Sequence, residues 1–356
     1  MQKRTLQIFK LGLLAVIFMY VGSKLLLVVT STDEDEDDSA YDESPTWSGL
    51  PYRWQPSYRR LSNIKEYRRR HPKHLHLYNL SKAANSSDVY KCVKSGTVPS
   101  FPICVYNPVE DKFISAALLS NGIWEPYMTR GLQAVLRKYP QATLIDIGAN
   151  IGYFSFLAAK MGHDVVAIEP YNRSVLHFHR GAEVGGLTDR LTLVYNAISD
   201  KHTSVTLKDN NDNKGGISVR IPDSPSNKNR ISTITLDDLL QVVDNHVAVI
   251  KLDIEGYECR GMGRAKKFLA KIHVPYVLME WQKMFSQKYK LYTACTTKAM
   301  KELTNFMVDL GYSPYEIRTG YKLLPGGSTF EWRFGDLFWK HSEAEDIDLA
   351  TDIIPT

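Results

Sequence analysis

One short segment, Asp146-Ile147-Gly148-Ala149-Asn150-Ile151-Gly152, constrains this chain more than any other. It joins an apolar run, Thr143 to Ile147, to a stretch of helical periodicity from Tyr153 to Lys160 that Gly162 can end. A strand passing into a helix through two glycines is the opening of a βα unit. Gly148 lets the chain turn sharply off the strand, and Gly152 lets the helix start close to a ligand lying across the sheet edge. The same alternation continues downstream. Val165 to Glu169, Leu191 to Tyr195, Val247 to Asp253 and Tyr276 to Glu280 are strands separated by helical stretches, the pattern of a mostly parallel sheet. Ser204 to Leu207 and Ile217 to Ile221 alternate like inserted antiparallel strands. A last helix around Thr297 to Leu310 ends at Gly311, and Tyr312 to Arg318 with Asp336 to Trp339 forms a closing antiparallel pair.

Glu169 ends the second strand, 21 positions after Gly148. An acidic side chain there accepts hydrogen bonds from both hydroxyls of an adenosine ribose. NAD and S-adenosylmethionine both present such a ribose, so phosphate decides between them. A pyrophosphate needs a second glycine where this chain has Asn150, and Asp146 would repel a diphosphate while suiting the ammonium of a methionine moiety. S-adenosylmethionine is the cofactor expected.

Four separated blocks, LIDIGANIGYFS from Leu144, VVAIEP from Val165, ISTITLDDLL from Ile231 and VIKLDIEGYE from Val249, resemble the FkbM family of methyltransferases. The match runs from about Ile114 to Trp281, and Trp124-Glu125-Pro126-Tyr127 looks like the segment preceding the first strand in related proteins. The resemblance implies an α/β class I methyltransferase fold, Rossmann-like, with a seven-stranded mostly parallel sheet, helices on both faces and a terminal antiparallel hairpin. It also implies methyl transfer to a hydroxyl oxygen, often of a sugar. Carried over residue by residue, it puts Asp146, Gly148, Asn150 and Gly152 around the methionine part, Glu169 at the ribose, and Asn196 and Ala197 at the adenine, unless the last two belong to an ordinary loop.

A sugar hydroxyl is a poor nucleophile, so a base must sit within hydrogen-bond reach. Lys251, Asp253 and Glu255 end the fourth strand, where alternate side chains share a face. Asp253 is expected near the sulfonium or acceptor, Glu255 as base or anchor and Lys251 tuning their charge; the competing reading is an ion-pair cluster that only shapes the loop. Glu280 and Glu125 are the expected acceptor contacts. No metal is called for, although Asp253, Glu255 and Glu280 would make an oxygen ligand set for magnesium or calcium. His177 and His179 point apart on a helix and are read as surface or packing residues.

The first 85 residues read differently. Leu11 to Thr30 is about the 20 residues a helix needs to span a bilayer, with Lys3, Arg4 and Lys10 before it and the acidic run of residues 33 to 38 after it. The expectation is a cytosolic tail (1–10), a signal anchor (11–30) and a polar stem (31–85), a type II protein of the Golgi or endoplasmic reticulum with its catalytic part lumenal. A cleaved signal peptide with a cut near Ser23 is the alternative. The stem carries Arg59, Arg60, Lys65, Arg68, Arg69, Arg70 and Lys73, a solvated run or a dock for acidic glycans or lipid headgroups. Residues 86–140 are expected as a substrate-side extension, 141–345 as the methyltransferase domain and 346–356 as a tail. The whole chain has 44 Lys plus Arg against 39 Asp plus Glu, a balance too mild to argue for nucleic acid. Of four cysteines, Cys92 and Cys104 can bridge across the turns offered by Gly96, Pro99 and Pro102, or remain buried thiols; nothing marks Cys259 or Cys295 as a nucleophile. The alternatives are methyl transfer to a protein or lipid acceptor and, outside catalysis, an inactive membrane-anchored scaffold of the same fold.

Overall fold

The computed structural model describes residues 14–21, 24–31, 73–84, 89–208, 213–220, 230–285, 295–325, 332, 335–347 and 349. The chain divides into two compact units, Met1–Arg59 and Arg60–Thr356. In the first unit β1 (Leu14–Val21) and β2 (Lys24–Ser31) pair antiparallel, with Leu14 opposite Ser31 and Val21 opposite Lys24. This corrects the expected helix over residues 11–30. Among the described residues no helix is long and apolar enough to cross a membrane. The residue types give the reason: Val16, Ile17, Val21, Val28 and Val29 are β-branched, Phe18 and Tyr20 are aromatic, and the sequence between the two runs is Gly-Ser, a dipeptide of turn composition. The expected cytosolic tail and most of the expected stem lie outside the described residues.

The second unit opens with β3 (Leu77–Tyr78), a hairpin of β4 (Lys91–Lys94) and β5 (Pro102–Val105), and helices α1 (Ile114–Ser120) and α2 (Pro126–Lys138). Then come β6 (Thr143–Ile147), α3 (Tyr153–Lys160), β7 (Val165–Ile168), α4 (Asn172–Gly185) and β8 (Leu191–Val194). Short strands β9 (Ala197–Ile198), β10 (Ser204–Lys208), β11 (Ser218–Arg220) and β12 (Arg230–Ile234) make a side sheet. The chain closes with β13 (Ala248–Leu252), α5 (Glu258–Gly261), α6 (Lys266–Lys271), β14 (Tyr276–Glu280), α7 (Gln282–Phe285), α8 (Thr297–Asp309), β15 (Tyr312–Glu316) and β16 (Asp336–His341).

The main sheet runs β15-β16-β14-β13-β6-β7-β8-β3. Its five inner strands, β14 through β8, are parallel, while β16, β15 and β3 are antiparallel to their neighbours. The sheet is therefore mixed and has eight strands, not seven. The added strand, β3, lies in the stretch expected as stem, because Leu75 is buried and Leu77 packs beside it on the core. Both faces of the sheet are covered, which explains the unbroken apolar runs of its strands. Leu144, Val165, Leu193, Val249 and Leu278 face a core shared with Leu132, Phe156 and Phe178 of α2, α3 and α4. Their neighbours Ile145, Val166, Val194, Ile250 and Met279 face the opposite core, with Phe268 of α6 and Met300, Leu303 and Met307 of α8.

Chain order reverses between adjacent β6 and β13: β7 and β8 continue on one side, β14 on the other. The crevice beyond the carboxyl ends of β6 and β13 is where an open sheet of this kind takes a ligand.

Candidate active site

The turn after β6 is built against the loop after β13. Gly148 has φ +80°, and a Cβ there would fall 1.8 Å from the carbonyl oxygen of Asp253. Only glycine lets the two loops touch. Gly152, at φ +97°, does something other than expected: a Cβ would meet the rings of Phe156 and Phe178 at 2.5 and 2.8 Å, so it makes room for aromatic packing. Asn150 takes the left-handed region, φ +50°, which asparagine tolerates. Its N–H donates to Glu169 Oε2 at 2.8 Å, and Tyr171 N–H donates to Glu169 Oε1 at 2.7 Å. Burial pushes the Glu169 carboxyl up to about 7. Each of its oxygens keeps a further lone pair, which suits a pair of ribose hydroxyls.

Three expected cofactor residues stand elsewhere than anticipated. Asp146 is fully buried; its Oδ2 accepts from Ser155 Oγ at 2.6 Å, and Oδ1 lies 3.8 Å from Lys251 Nζ without a hydrogen bond. It holds Lys251 under the turn rather than meeting a ligand's ammonium. Asn196 is equally buried, and its amide is consumed by the backbone: Oδ1 accepts from His76 N–H, and Nδ2 donates to His74 and Ser232 carbonyls. Ala197 is buried in β9, paired with Thr233. The Asn196 side chain joins the segment before β3 to the side sheet, and Ala197 is fixed there by strand pairing.

Beside this turn the carboxylates gather. β13 ends at Leu252, so Asp253 and Glu255 sit on a tight turn and not on one strand face. Glu255 has φ +58° and Gly256 φ +91°, and the buried Glu258 secures the turn, its Oε1 accepting from Ile254 and Gly256 N–H at 3.0 and 3.1 Å. Asp253, Glu255 and Glu280 each bring a carboxylate oxygen to within 4.8 Å of the other two. Two lysines hold the cluster. Lys251 Nζ lies 3.3 Å from Asp253 Oδ2 and 3.3 Å from the Gly148 carbonyl, while Lys283, on α7, ion-pairs with Glu255 and lies 3.5 Å from Glu280. Burial pushes Asp253 up, but Lys251, Lys283 and the Glu280 carboxyl outweigh it and hold Asp253 below its usual range. Burial and the Asp253 charge drive Glu280 the other way, well above the carboxylate range. The two carboxyls are thus pushed in opposite directions within one site, and Glu280 Oε2 is buried with no hydrogen-bond partner.

Glu125 joins them from the far side. It stands at φ +43° just before Pro126 starts α2, and burial with the Asp253 and Asp336 charges pushes its carboxyl well above the usual range. Asp336, at the start of β16, is pushed up to about 6 by burial and Asp253. Sequence reasoning missed Asp336 and Lys283. The first was legible only as a strand residue; the second stands three positions after Glu280, an acid–base spacing that a helix brings together. His177 and His179 pack, as expected: the first against Tyr106 at 3.9 Å between ring centroids, the second toward Tyr78.

Residues 146–314 match the model of the methyltransferase FkbM domain. Those residues are an FkbM methyltransferase domain. S-adenosylmethionine is the methyl donor such a domain uses, and the turn, Glu169 and the buried carboxylates all stand within the match or beside it. No curated protein matches the chain. Among solved structures, an O-methyltransferase from Bacillus cereus in complex with SAH is similar at 13% identity and TM-score 0.36, over 63% of this chain and 84% of that one. A putative O-methyltransferase from Klebsiella pneumoniae follows at 10% and 0.37, over 67% and 91%. A 16S rRNA N2 G1207 methyltransferase from T. thermophilus, in complex with AdoMet and guanosine, gives 12% and 0.35, over 71% and 51%.

Proposed function

We propose that this methyltransferase transfers its methyl group to a hydroxyl oxygen, and that the acceptor is a sugar. The carrying observation is the convergence of Asp253 and Glu280, whose carboxylate oxygens lie within 4.8 Å of each other beside the cofactor turn, with Glu280 Oε2 buried and without a hydrogen-bond partner. S-adenosylmethionine, when bound, supplies an electrophilic methyl group. The chain supplies the rest. Asp253, kept charged by Lys251 and Lys283, takes the proton of the attacking hydroxyl. Glu280 Oε2 holds a neighbouring hydroxyl, and Glu125 closes on the acceptor from α2. A vicinal diol would find one carboxylate and one carboxylic acid side by side, which is the reason for favouring a sugar over an amine. Glu255 is occupied by Lys283 and stands as an anchor rather than the base.

Two disulfides, Cys92–Cys104 and Cys259–Cys295, support an oxidising compartment for this unit. The first is one of the two readings the sequence left open; the second joins α5, just after the acidic turn, to the residue before the cap of α8.

The test is transfer of labelled methyl from S-adenosylmethionine to a panel of oligosaccharides, free amines and peptides, with the product located by mass spectrometry. An O-methyl sugar is the expected product. Methylation confined to peptide nitrogen or carboxyl groups would overturn the acceptor reading.

A further inference from the structure

The mouth of the site carries a feature the methyl transfer does not use. Tyr127, in the first turn of α2 and two residues from Glu125, is 40% exposed. The guanidinium carbons of Arg130 and Arg318 each lie 4.9 Å from its ring centroid. Arg130 comes from the same helix. Arg318 comes from the turn after β15, where Glu316 fixes the backbone: its carboxylate accepts from Arg318 N–H at 3.0 Å, Thr319 N–H at 2.7 Å and Thr319 Oγ1 at 2.5 Å. Packing of Ile317 against Gly131 ties that turn to α2, since a Cβ on Gly131 would meet Ile317 Cδ1 at 3.2 Å. Two arginines are thus held on one exposed aromatic ring by rigid elements. Arg318 also acts on Asp336, lowering it against the effect of burial. Ile317 N–H donates to the Asp336 carbonyl and Asp336 pairs with Glu280 across β16 and β14, so the ring and its arginines stand beside the carboxylate cluster.

An acceptor entering past Tyr127 meets two planar guanidinium donors, held over its ring and matched to carboxylate or sulfate. The reacting hydroxyl, one residue deeper, meets carboxyl groups. This polarity, acid inside and base outside, fits one kind of substrate. We propose that Arg130, Tyr127 and Arg318 form an acceptor subsite for an anionic sugar residue, a uronate or a sulfated sugar, adjoining the residue that is methylated. This rests on the sugar-acceptor reading above and names its class.

The experiment titrates a chondroitin sulfate hexasaccharide, and its desulfated, carboxyl-reduced counterpart, into the full chain held with S-adenosylhomocysteine. Separate variants Arg318→Gln and Arg130→Gln follow, and S-adenosylhomocysteine binding is measured in each. The subsite requires the sulfated probe to bind more tightly than the neutral one, and each variant to lose about tenfold in its affinity while cofactor binding is unchanged. A probe that fails to bind, or binds the variants and the wild type alike, overturns the subsite even where methyl transfer to neutral sugars stands. Arginine-dependent binding of the probe in a protein that methylates no sugar would do the reverse, keeping the anion site and ending the sugar-methylation reading.

Discussion

At the residue scale, the account turns on which carboxyl carries a proton. Asp253→Asn keeps the shape of the loop but removes the base, so turnover should fall about 10²–10⁴-fold while S-adenosylmethionine affinity stays within a few fold, read by single-turnover transfer and calorimetry. An equally active variant would take Asp253 out of the reaction. Glu169 gives a pH signature. Its carboxyl sits near 7, above the ordinary value, so its proton is retained through pH 6 and lost above pH 7. The ionised form accepts from both ribose hydroxyls, so cofactor affinity should rise from pH 6 to pH 8 by up to about tenfold, and Glu169→Gln should flatten that rise. Gly148, Glu169, Asp253 and Glu280, each legible on a motif or at a strand end, gather around the turns that follow β6 and β13. Sequence reading misplaced Asn196, whose amide partners come from His74, His76 and Ser232, residues that no spacing rule brings beside it.

At the element scale, the parallel strands were legible because burial on both faces leaves unbroken apolar runs, and the closing β15–β16 pair because its alternation is plain. β3 was not, since two residues in a basic stretch carry no period. The N-terminal run illustrates the opposite error. Length and apolarity pointed to a spanning helix, while the β-branched content and Gly22-Ser23 favoured the hairpin of β1 and β2. The bond between Cys259 and Cys295 also escaped, being 36 residues apart with no shared turn. It fastens α5, whose Glu258 secures the acidic loop, to the start of α8. Replacing both cysteines with serine should lower stability by about 2–4 kcal/mol in denaturant unfolding and loosen the Asp253 turn, so activity should drop before the fold is lost. Unchanged stability on removing the bridge would show that packing alone holds the turn.

At the scale of the whole molecule, the second unit is a mixed eight-stranded sheet with a covered core on each face and its site at the reversal between β6 and β13. Its first described strand is β3. A chain starting at residue 73 should retain the melting temperature of this unit, whereas one starting at residue 89 loses β3, exposes the β8 edge and should melt several degrees lower. Equal melting temperatures would make β3 dispensable. The claim on which everything else depends is that this fold binds S-adenosylmethionine at Gly148 and Glu169. The most direct measurement is calorimetric titration of S-adenosylmethionine and S-adenosylhomocysteine into the wild type and Glu169→Ala. One site of micromolar affinity, lost or weakened at least tenfold in the variant, is the expected result; no binding to the wild type, or binding indifferent to Glu169, would contradict it.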